Sequence, residues 1–265
     1  MSKRVIVCAD DYGFDVDVSE GILDCVDAGM VSAVSCMTLS PHWPAQAKAI
    51  ASRQQADFGL HLDVNEFADY APGRSLSSWI VAAYAQQISM KEARQWVDAQ
   101  LNAFEDCAGV APRFVDGHQH VHQLPVLRSA VIDAISTRYG TACALRDCRP
   151  RHWRGGKAQL IGLLGARSLG RAAKRNGLLL NRDFAGVYDF STSQPYGDRV
   201  ANWMATLDDA GMLMTHPSRT SGASAGHDTI RAARQSEHAW WLSPAAKALL
   251  VRLEITVVRF DALNR

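Results

Sequence analysis

Short apolar runs alternate with amphipathic segments along almost the whole chain. The apolar runs have the length of strands and lie at 4–9, 33–39, 58–62, 113–116, 142–146, 184–188, 211–215 and 254–258. Segments with helical periodicity lie between them, at 18–28, 89–107, 126–138, 158–176, 198–210 and 244–252. Ser40-Pro41 predicts the start of a further helix, with a cap residue and a proline at the first helical position. This alternation is typical of a parallel sheet whose faces are covered by helices.

The number of these units predicts the fold class. Seven or eight β/α units in 265 residues favour an α/β fold built as a distorted or incomplete (β/α) TIM-like barrel. A doubly wound open sheet is the alternative, because the number of strands does not prove that the sheet closes. No repeat, low-complexity segment or linker divides the sequence, so we expect a single domain over residues 1–265.

Composition and charge narrow the range of partners. Hydrophobic residues make up 48% of the chain and charged residues 21%, and the net charge of +1 gives no global attraction to nucleic acid. No apolar stretch approaches the roughly 18 residues of a membrane span. The six cysteines form no CxxC pair, which favours a reducing, cytoplasmic location. Whether the chain forms a homo-oligomer stays open.

Side chains that can bind metal stand in or directly after four of the predicted strands. The first strand runs into Asp10 and Asp11, and the third contains His61. The fourth runs into His118, and the seventh ends just before His216. Because the carboxyl ends of parallel strands converge on one face, these side chains predict an active site on a common rim.

The Asp10-Asp11 pair indicates a cation. Two adjacent carboxylates at a buried strand end would repel each other unless a metal neutralised one of them. Neighbouring extended residues point to opposite faces, so one carboxylate could bind the ion while the other accepts a proton from water. A strand-to-helix turn with an Asp cap is the plainer interpretation.

Asp116, His118, His120 and His122 follow one another at intervals of two residues. If the backbone stays extended, all four lie on one face. Imidazole and carboxylate suit zinc and several other divalent ions, so we expect one histidine to ligate while the others orient ligands or contact substrate. Asp116 would hold the ring of a neighbouring histidine. A merely polar loop is the alternative.

His216 and Arg146 complete the candidate set. A histidine opposite the metal can act as general acid to a leaving amine, although His216 could also be a histidine at a helix entry. Arg146 could steady a carboxylate, bind an anionic or hydroxyl-rich ligand, or lie on the surface. The glycine-rich segment 222–226 predicts a flexible loop, which could act as a lid near the site.

These residues resemble, in order, the YdjC-like carbohydrate deacetylases, a family that includes chitooligosaccharide deacetylases. The likeness is carried by Ala9-Asp10-Asp11-Tyr12-Gly13, Gly59-Leu60-His61-Leu62, Asp116-Gly117-His118-Gln119-His120-Val121-His122, Ala144-Leu145-Arg146 and His216-Pro217. The stretch 228–244 also resembles the C-terminal pattern of the family. The likeness therefore spans nearly the whole chain.

The resemblance implies a distorted (β/α) barrel, one divalent metal ion (magnesium or zinc) and removal of an acetyl group from an N-acetylated sugar or oligosaccharide. It also implies roles for single residues. Asp11, His61 and His118 would be metal ligands, Asp10 the base and His216 the acid. The remaining candidates, expected to bind substrate or support the ligands, are Asp116, His120, His122 and Arg146. The chain departs from the family pattern at Ser19 and Ser218, which we expect around the pocket.

Two other classes of function stay open. One is a metal-dependent hydrolase of another amide or ester, or a phosphoesterase, although the latter more often has a second metal site with extra carboxylates. The other is a catalytically silent sugar-binding protein on the same fold. Binding alone needs neither a base nor an acid, so the presence of Asp10 and His216 favours an enzyme.

Overall fold

The protein forms one curled parallel sheet surrounded by helices. The structure is a computed structural model and describes residues 2–220 and 228–264. Its strands are β1 (Lys3–Tyr12), β2 (Ala33–Cys36), β3 (Asp57–Leu62), β4 (Phe114–Gly117), β5 (Ala144–Leu145), β6 (Phe184–Ala185), β7 (Gly211–Thr215) and β8 (Ile255–Val257).

Helices occupy most of the connections between the strands. They are α1 (Val16–Asp27), α2 (Trp43–Gln46), α3 (Leu76–Tyr84), α4 (Met90–Ala108), α5 (Leu127–Arg138), α6 (Gly156–Ile161), α7 (Arg167–Arg175), α8 (Tyr196–Thr206), α9 (Arg231–Trp241) and α10 (Pro244–Arg252). A π-type turn at Gly162–Ala166 joins α6 to α7.

The strands pair in the order β5-β4-β3-β2-β1-β7-β6, with β8 against the start of β1, and every pair is parallel. Phe114 of β4 and Met212 of β7 belong to one core cluster although three strands separate them in the sheet. An isolated bridge also joins Leu145 to Leu180, just before β6. The sheet therefore curls until its two edges approach each other, in a barrel-like form.

Alternation along β1 shows how the curl divides the core. Val5, Val7 and Ala9 pack in the cluster that includes α1, whereas Ile6 and Cys8 belong to the inner cluster. At a period of two residues the inner side of the strand next carries Asp10. The curl thus places a carboxylate at the inner rim, where the site is built.

The periodicity of the sequence predicted most elements well and missed two helices. The predicted bounds of β7 and α10 agree with the structure, and the capping box of α4 is present, with Ser89 and Glu92 each bound to the other's backbone N–H. The two helices that were missed are α3 and α9. Among the described residues, none of the helices combines the length and the hydropathy that a membrane span requires.

Candidate metal and catalytic centre

Three of the predicted side chains meet at the carboxyl ends of β1, β3 and β4. Asp11 Oδ1 lies 3.3 Å from His61 Nε2 and 3.0 Å from His118 Nδ1. One ligand atom from each residue lies within 4.8 Å of the other two. A carboxylate and two imidazoles at this separation form a donor set that suits a zinc-like divalent ion and leaves further positions open.

The backbone of Asp11 is what brings both aspartates to the site. Asp11 has φ 73°, a left-handed conformation that an L-residue adopts only at a cost of about 1 kcal/mol or more. The prediction that Asp10 and Asp11 point to opposite faces assumed an extended backbone, and it was wrong, because this conformation breaks the alternation. Both carboxylates line the same cavity.

The histidine row after β4 does not lie on one face, so this prediction was also wrong. The strand ends at Gly117, and Gln119 and His120 adopt left-handed φ values of 51° and 64° within the turn that comes next. The turn sends the rings in different directions: His118 contacts Asp11, whereas His122 Nε2 lies 3.1 Å from the carbonyl oxygen of Arg146. His120 Nδ1 lies 3.5 Å from the Cys148 thiol.

Asp116 holds the ring of His61. The distance from Asp116 Oδ1 to His61 Nδ1 is 2.6 Å, which turns His61 Nε2 toward Asp11. Burial lowers the pKa of His61, but the carboxylates of Asp116 and Asp10 outweigh it and raise the pKa to about 10. In the metal-free protein, His61 is therefore an imidazolium at neutral pH.

Arg146 lies between two carboxylates in the interior. Its guanidinium is 2.5 Å from Asp116 Oδ2 and contacts both oxygens of Asp10, at 2.5 and 2.7 Å. Burial raises the pKa of Asp10, but Arg146 outweighs it and holds the pKa well below its usual range. Arg146 has 0% relative exposure, so the alternative of a surface position was wrong, and its contacts with Asp10 and Asp116 agree with the predicted role of steadying a carboxylate.

The sequence analysis did not select Arg234 as a site residue, although its guanidinium binds Oδ2 of Asp11. Arg234 lies on α9 and donates to Asp11 Oδ2 at 2.7 Å and to Asp228 Oδ2 at 3.0 Å. It is buried, so Asp11 is fixed from two sides. The sequence signal for α9 is weak, because only Ala233 and Trp241 among its buried positions are apolar.

His216 comes directly after β7 and faces the same cavity as the aspartates. Glu237 fixes this strand end by accepting the backbone N–H of His216 and the Thr215 hydroxyl, both at 2.5 Å. The imidazole of His216 lies edge-on to Phe190, with 5.1 Å between ring centroids. Burial lowers the pKa of His216, although nearby carboxylates oppose the shift. The protonated ring is therefore a stronger acid than an exposed histidine.

The charged groups linked to Asp11, His61 and His118 do not balance without a cation. Ion pairs join four carboxylates to two guanidinium groups: Asp10, Asp11, Asp116 and Asp228 with Arg146 and Arg234. These groups carry a net charge of −1 while His61 is an imidazolium, and of −2 once His61 is neutral, as metal ligation requires. Uncompensated charge is costly in the interior, and one divalent ion would neutralise it. The donor set and the charge therefore both fit a divalent metal.

A cavity of 450 Å³ connects the candidate residues. Six of the nine predicted site residues line it: Asp10, Asp11, His61, His118, His120 and His216. Asp116, His122 and Arg146 lie behind this lining, and each has a relative exposure of 0%. Ser19 and Ser218 are not among the residues that line the cavity, although the Ser218 backbone N–H donates to the carbonyl oxygen of Arg234, which does line it. The predicted lid at 222–226 lies outside the described residues.

Comparison with known proteins gives a consistent family assignment. A family model described as YdjC-like protein matches residues 4–252. A carbohydrate deacetylase from Mus musculus is 30% identical over 151 residues, which cover 52% of this chain and 48% of that protein. A chitooligosaccharide deacetylase from Proteus mirabilis (strain HI4320) is 26% identical over 234 residues, with 82% of each chain covered.

Similarity to a solved structure extends over the whole chain. A protein from Enterococcus faecalis V583, named as a candidate cellobiose-phosphate cleavage protein, shares the fold with a TM-score of 0.73. The two chains are 18% identical, and 99% of each is covered. By contrast, the chain spans about half the length of the first curated relatives that it matches, including 46% of the Homo sapiens carbohydrate deacetylase.

Proposed function

The chain belongs to the family of YdjC-like proteins, and from this premise we propose that it is a metal-dependent carbohydrate deacetylase. It would remove the acetyl group from an N-acetylated sugar or oligosaccharide. The observation that carries the proposal is that the trio of Asp11, His61 and His118 shares one cavity with Asp10 and His216. Relatives named as carbohydrate and chitooligosaccharide deacetylases support the choice of reaction.

Asp11, His61 and His118 would hold the ion. When bound there, a divalent metal lowers the pKa of water and polarises the acetyl carbonyl. Two of the three ligands are imidazoles, and Mg²⁺ prefers oxygen ligands, so we propose zinc or a similar transition ion rather than magnesium. Arg234 occupies Asp11 Oδ2 and leaves Oδ1 as the oxygen that faces both histidines.

Asp10 would accept the proton of the attacking water. Arg146 keeps the carboxylate ionised and fixed in orientation, so the base is ready at any pH near neutrality. Each carboxylate oxygen can accept more than one hydrogen bond, so pairing with Arg146 leaves Asp10 able to take the proton.

His216 would donate a proton to the nitrogen of the departing sugar amine. Glu237 fixes the backbone at His216, and Phe190 packs edge-on against its ring in the cavity wall. Its lowered pKa makes the imidazolium a strong proton donor. Acetate and the free amine then leave.

The alternatives from the sequence find less support. The residues Cys8, Asp10 and Asp116 also cluster, but Arg146 already supplies the positive charge among them. A phosphoesterase with a second metal there would need Arg146 to move. A silent binding protein would not need a base and an acid on the cavity that holds the metal ligands.

An acetate-release assay tests the proposal. The protein is stripped with a chelator, restored with zinc or with magnesium, and incubated with N-acetylglucosamine and with chitooligosaccharides. We expect release only after metal is restored, and a loss of about 10²–10⁴-fold in kcat for Asp10→Asn and for His216→Asn. His42→Asn changes an exposed histidine outside the cavity and serves as the matched control. Undiminished release by the stripped protein would refute the proposal.

A further inference from the structure

One wall of the cavity is aliphatic, in contrast to the polar side that carries Asp11, His61 and His118. We call this surface the aliphatic wall. It consists of Leu124, of Leu76 and Ile80 in α3, of Leu160 and Ile161 in α6, and of Leu164 in the turn that follows α6. Leu76, Ile80, Leu124 and Leu164 belong to one hydrophobic cluster. Apart from Leu124, these side chains are left partly or largely exposed, so a bound group could still cover them.

The wall is built into the fold rather than formed by a loose segment. Gly165 has φ 114°, and a Cβ there would lie 2.1 Å from the carbonyl oxygen of Gln123. The Gln123 side chain donates to the Ile161 carbonyl at 2.8 Å. These two contacts fasten the segment that carries Leu160, Ile161 and Leu164 to the turn that carries His118.

Most polar side chains on the cavity already have protein partners. Lys157 Nζ donates to the Tyr188 carbonyl at 2.8 Å, and the Tyr188 hydroxyl donates to Glu237 at 2.5 Å. Gln119 Oε1 accepts from Asn65 at 3.1 Å. No tryptophan is among the described residues that line the cavity, and its aromatic rings, those of Phe14, Tyr188 and Phe190, are not part of the aliphatic wall.

Glu66 is the polar group best placed to bind a sugar. Its Oε2 lies 3.9 Å from His118 Nε2, on the cavity lining. The Asp63 carboxylate accepts three backbone N–H groups, including that of Glu66 at 2.8 Å, and so fixes this turn. Polar recognition is thus concentrated beside the trio, while the aliphatic wall offers only apolar contact.

We propose that the N-acetylated sugar taken by this cavity carries an alkyl aglycone, which lies against the aliphatic wall while the acetamide lies at the trio. This inference rests on the proposed deacetylase function. A long oligosaccharide would place hydroxyl groups against leucine and isoleucine and leave them without partners, which costs free energy. An alkyl group placed there instead loses contact with water and gains free energy.

The test compares methyl, butyl and hexyl β-glycosides of N-acetylglucosamine below their micellar concentrations, with metal-loaded protein. Each methylene that the wall covers should raise kcat/KM about fourfold. We expect the hexyl glycoside to exceed the methyl glycoside by at least about tenfold, and a disaccharide of N-acetylglucosamine to gain nothing comparable. Calorimetric affinities for the same glycosides are measured in parallel.

Two leucines of one segment provide matched variants. Leu160 lines the cavity and is 58% exposed, whereas Leu163 is 67% exposed and does not line it, so both tolerate serine. Leu160→Ser should lower the hexyl-to-methyl ratio several-fold, and Leu163→Ser should leave it unchanged.

The possible results test the alkyl aglycone and the deacetylase function separately. Equal affinities for the methyl and hexyl glycosides would overturn the alkyl aglycone. A gain in affinity that appears only when the alkyl chain is placed in the N-acyl group would overturn it as well. Tighter binding of the hexyl glycoside without acetate release would support the aliphatic wall and contradict the deacetylase function alone.

Discussion

At the scale of single residues, the protonation of His61 links metal binding to pH. Asp116 and Asp10 raise the pKa of His61 to about 10, whereas a metal ligand must be a neutral imidazole. Binding of the proposed ion would therefore release a proton from His61. Below that pKa, the proton competes with the metal, and competition grows as the pH falls.

This competition gives a measurable pH dependence. We expect the apparent metal affinity of the stripped protein to rise about tenfold per unit from pH 6 to pH 9. Asp116→Asn removes one of the carboxylates that raise the pKa, so its pH dependence should be shallower, and its affinity at pH 9 about 10–100-fold weaker. Calorimetric titration at several pH values measures both. Asp133→Asn, at an exposed ion pair with Arg94, is the control. An affinity independent of pH would contradict the protonation of His61.

The sequence predicted which side chains meet in the cavity and misjudged their surroundings for a local reason. Asp11, His61 and His118 were found because each stands at or near the end of a strand, and parallel strands bring such ends together. The row from Asp116 to His122 failed because left-handed residues at 119 and 120 turn the chain, and neither Gln nor His signals that conformation. Local patterns therefore predict the end of a strand better than the shape of the turn after it.

At the scale of elements, the two missed helices account for much of what was missed at the site. The sequence before α3 reads as a polar connection, and α9 carries Arg234 and Glu237 on its buried face, where apolar residues would have shown the helix. Arg234 can be buried because it pairs with Asp11, and Glu237 because it accepts the backbone N–H of His216 at the end of β7. The pattern of apolar positions is thus weakest where an element serves the site.

The segment from α6 to α7 provides a test at this scale. Gly165→Ala would place a methyl group 2.1 Å from a carbonyl oxygen at φ 114°, and we expect it to lower the free energy of unfolding by about 1–3 kcal/mol. Gly156→Ala is the matched control in the same segment, because a Cβ there meets nothing within 4 Å. Urea unfolding of both variants measures the difference. Equal stability of the two would show that the segment does not pack against Gln123 as described.

At the scale of the whole molecule, the curl of the sheet decides which side chains meet. Strands β1, β3, β4 and β7 are spread across the sheet order, yet their carboxyl ends supply one cavity. Alternation of strands and helices predicted a parallel sheet with this convergence. It could not predict how far the sheet closes, because closure depends on contacts between the edge strands rather than on the periodicity of any one of them.

The cysteines test how tightly the whole molecule is packed. Five of the six are buried, and Cys107 is partly exposed. Burial raises the pKa of the Cys143 thiol to about 12, so that thiol stays neutral and unreactive at pH 8. We expect Ellman's reagent to label about one thiol quickly in the native protein and six after denaturation. Cys107→Ser should remove the fast phase, and rapid labelling of several thiols would contradict the packing.

The proposed chemistry as a whole depends on the metal held by Asp11, His61 and His118. The most direct measurement determines bound metal and acetate release on the same preparations of the wild-type protein and of His118→Ala. We predict about one divalent ion per chain with acetate release for the wild type, and loss of both for the variant. Full metal content together with full activity in His118→Ala would contradict this metal site and the mechanism built on it.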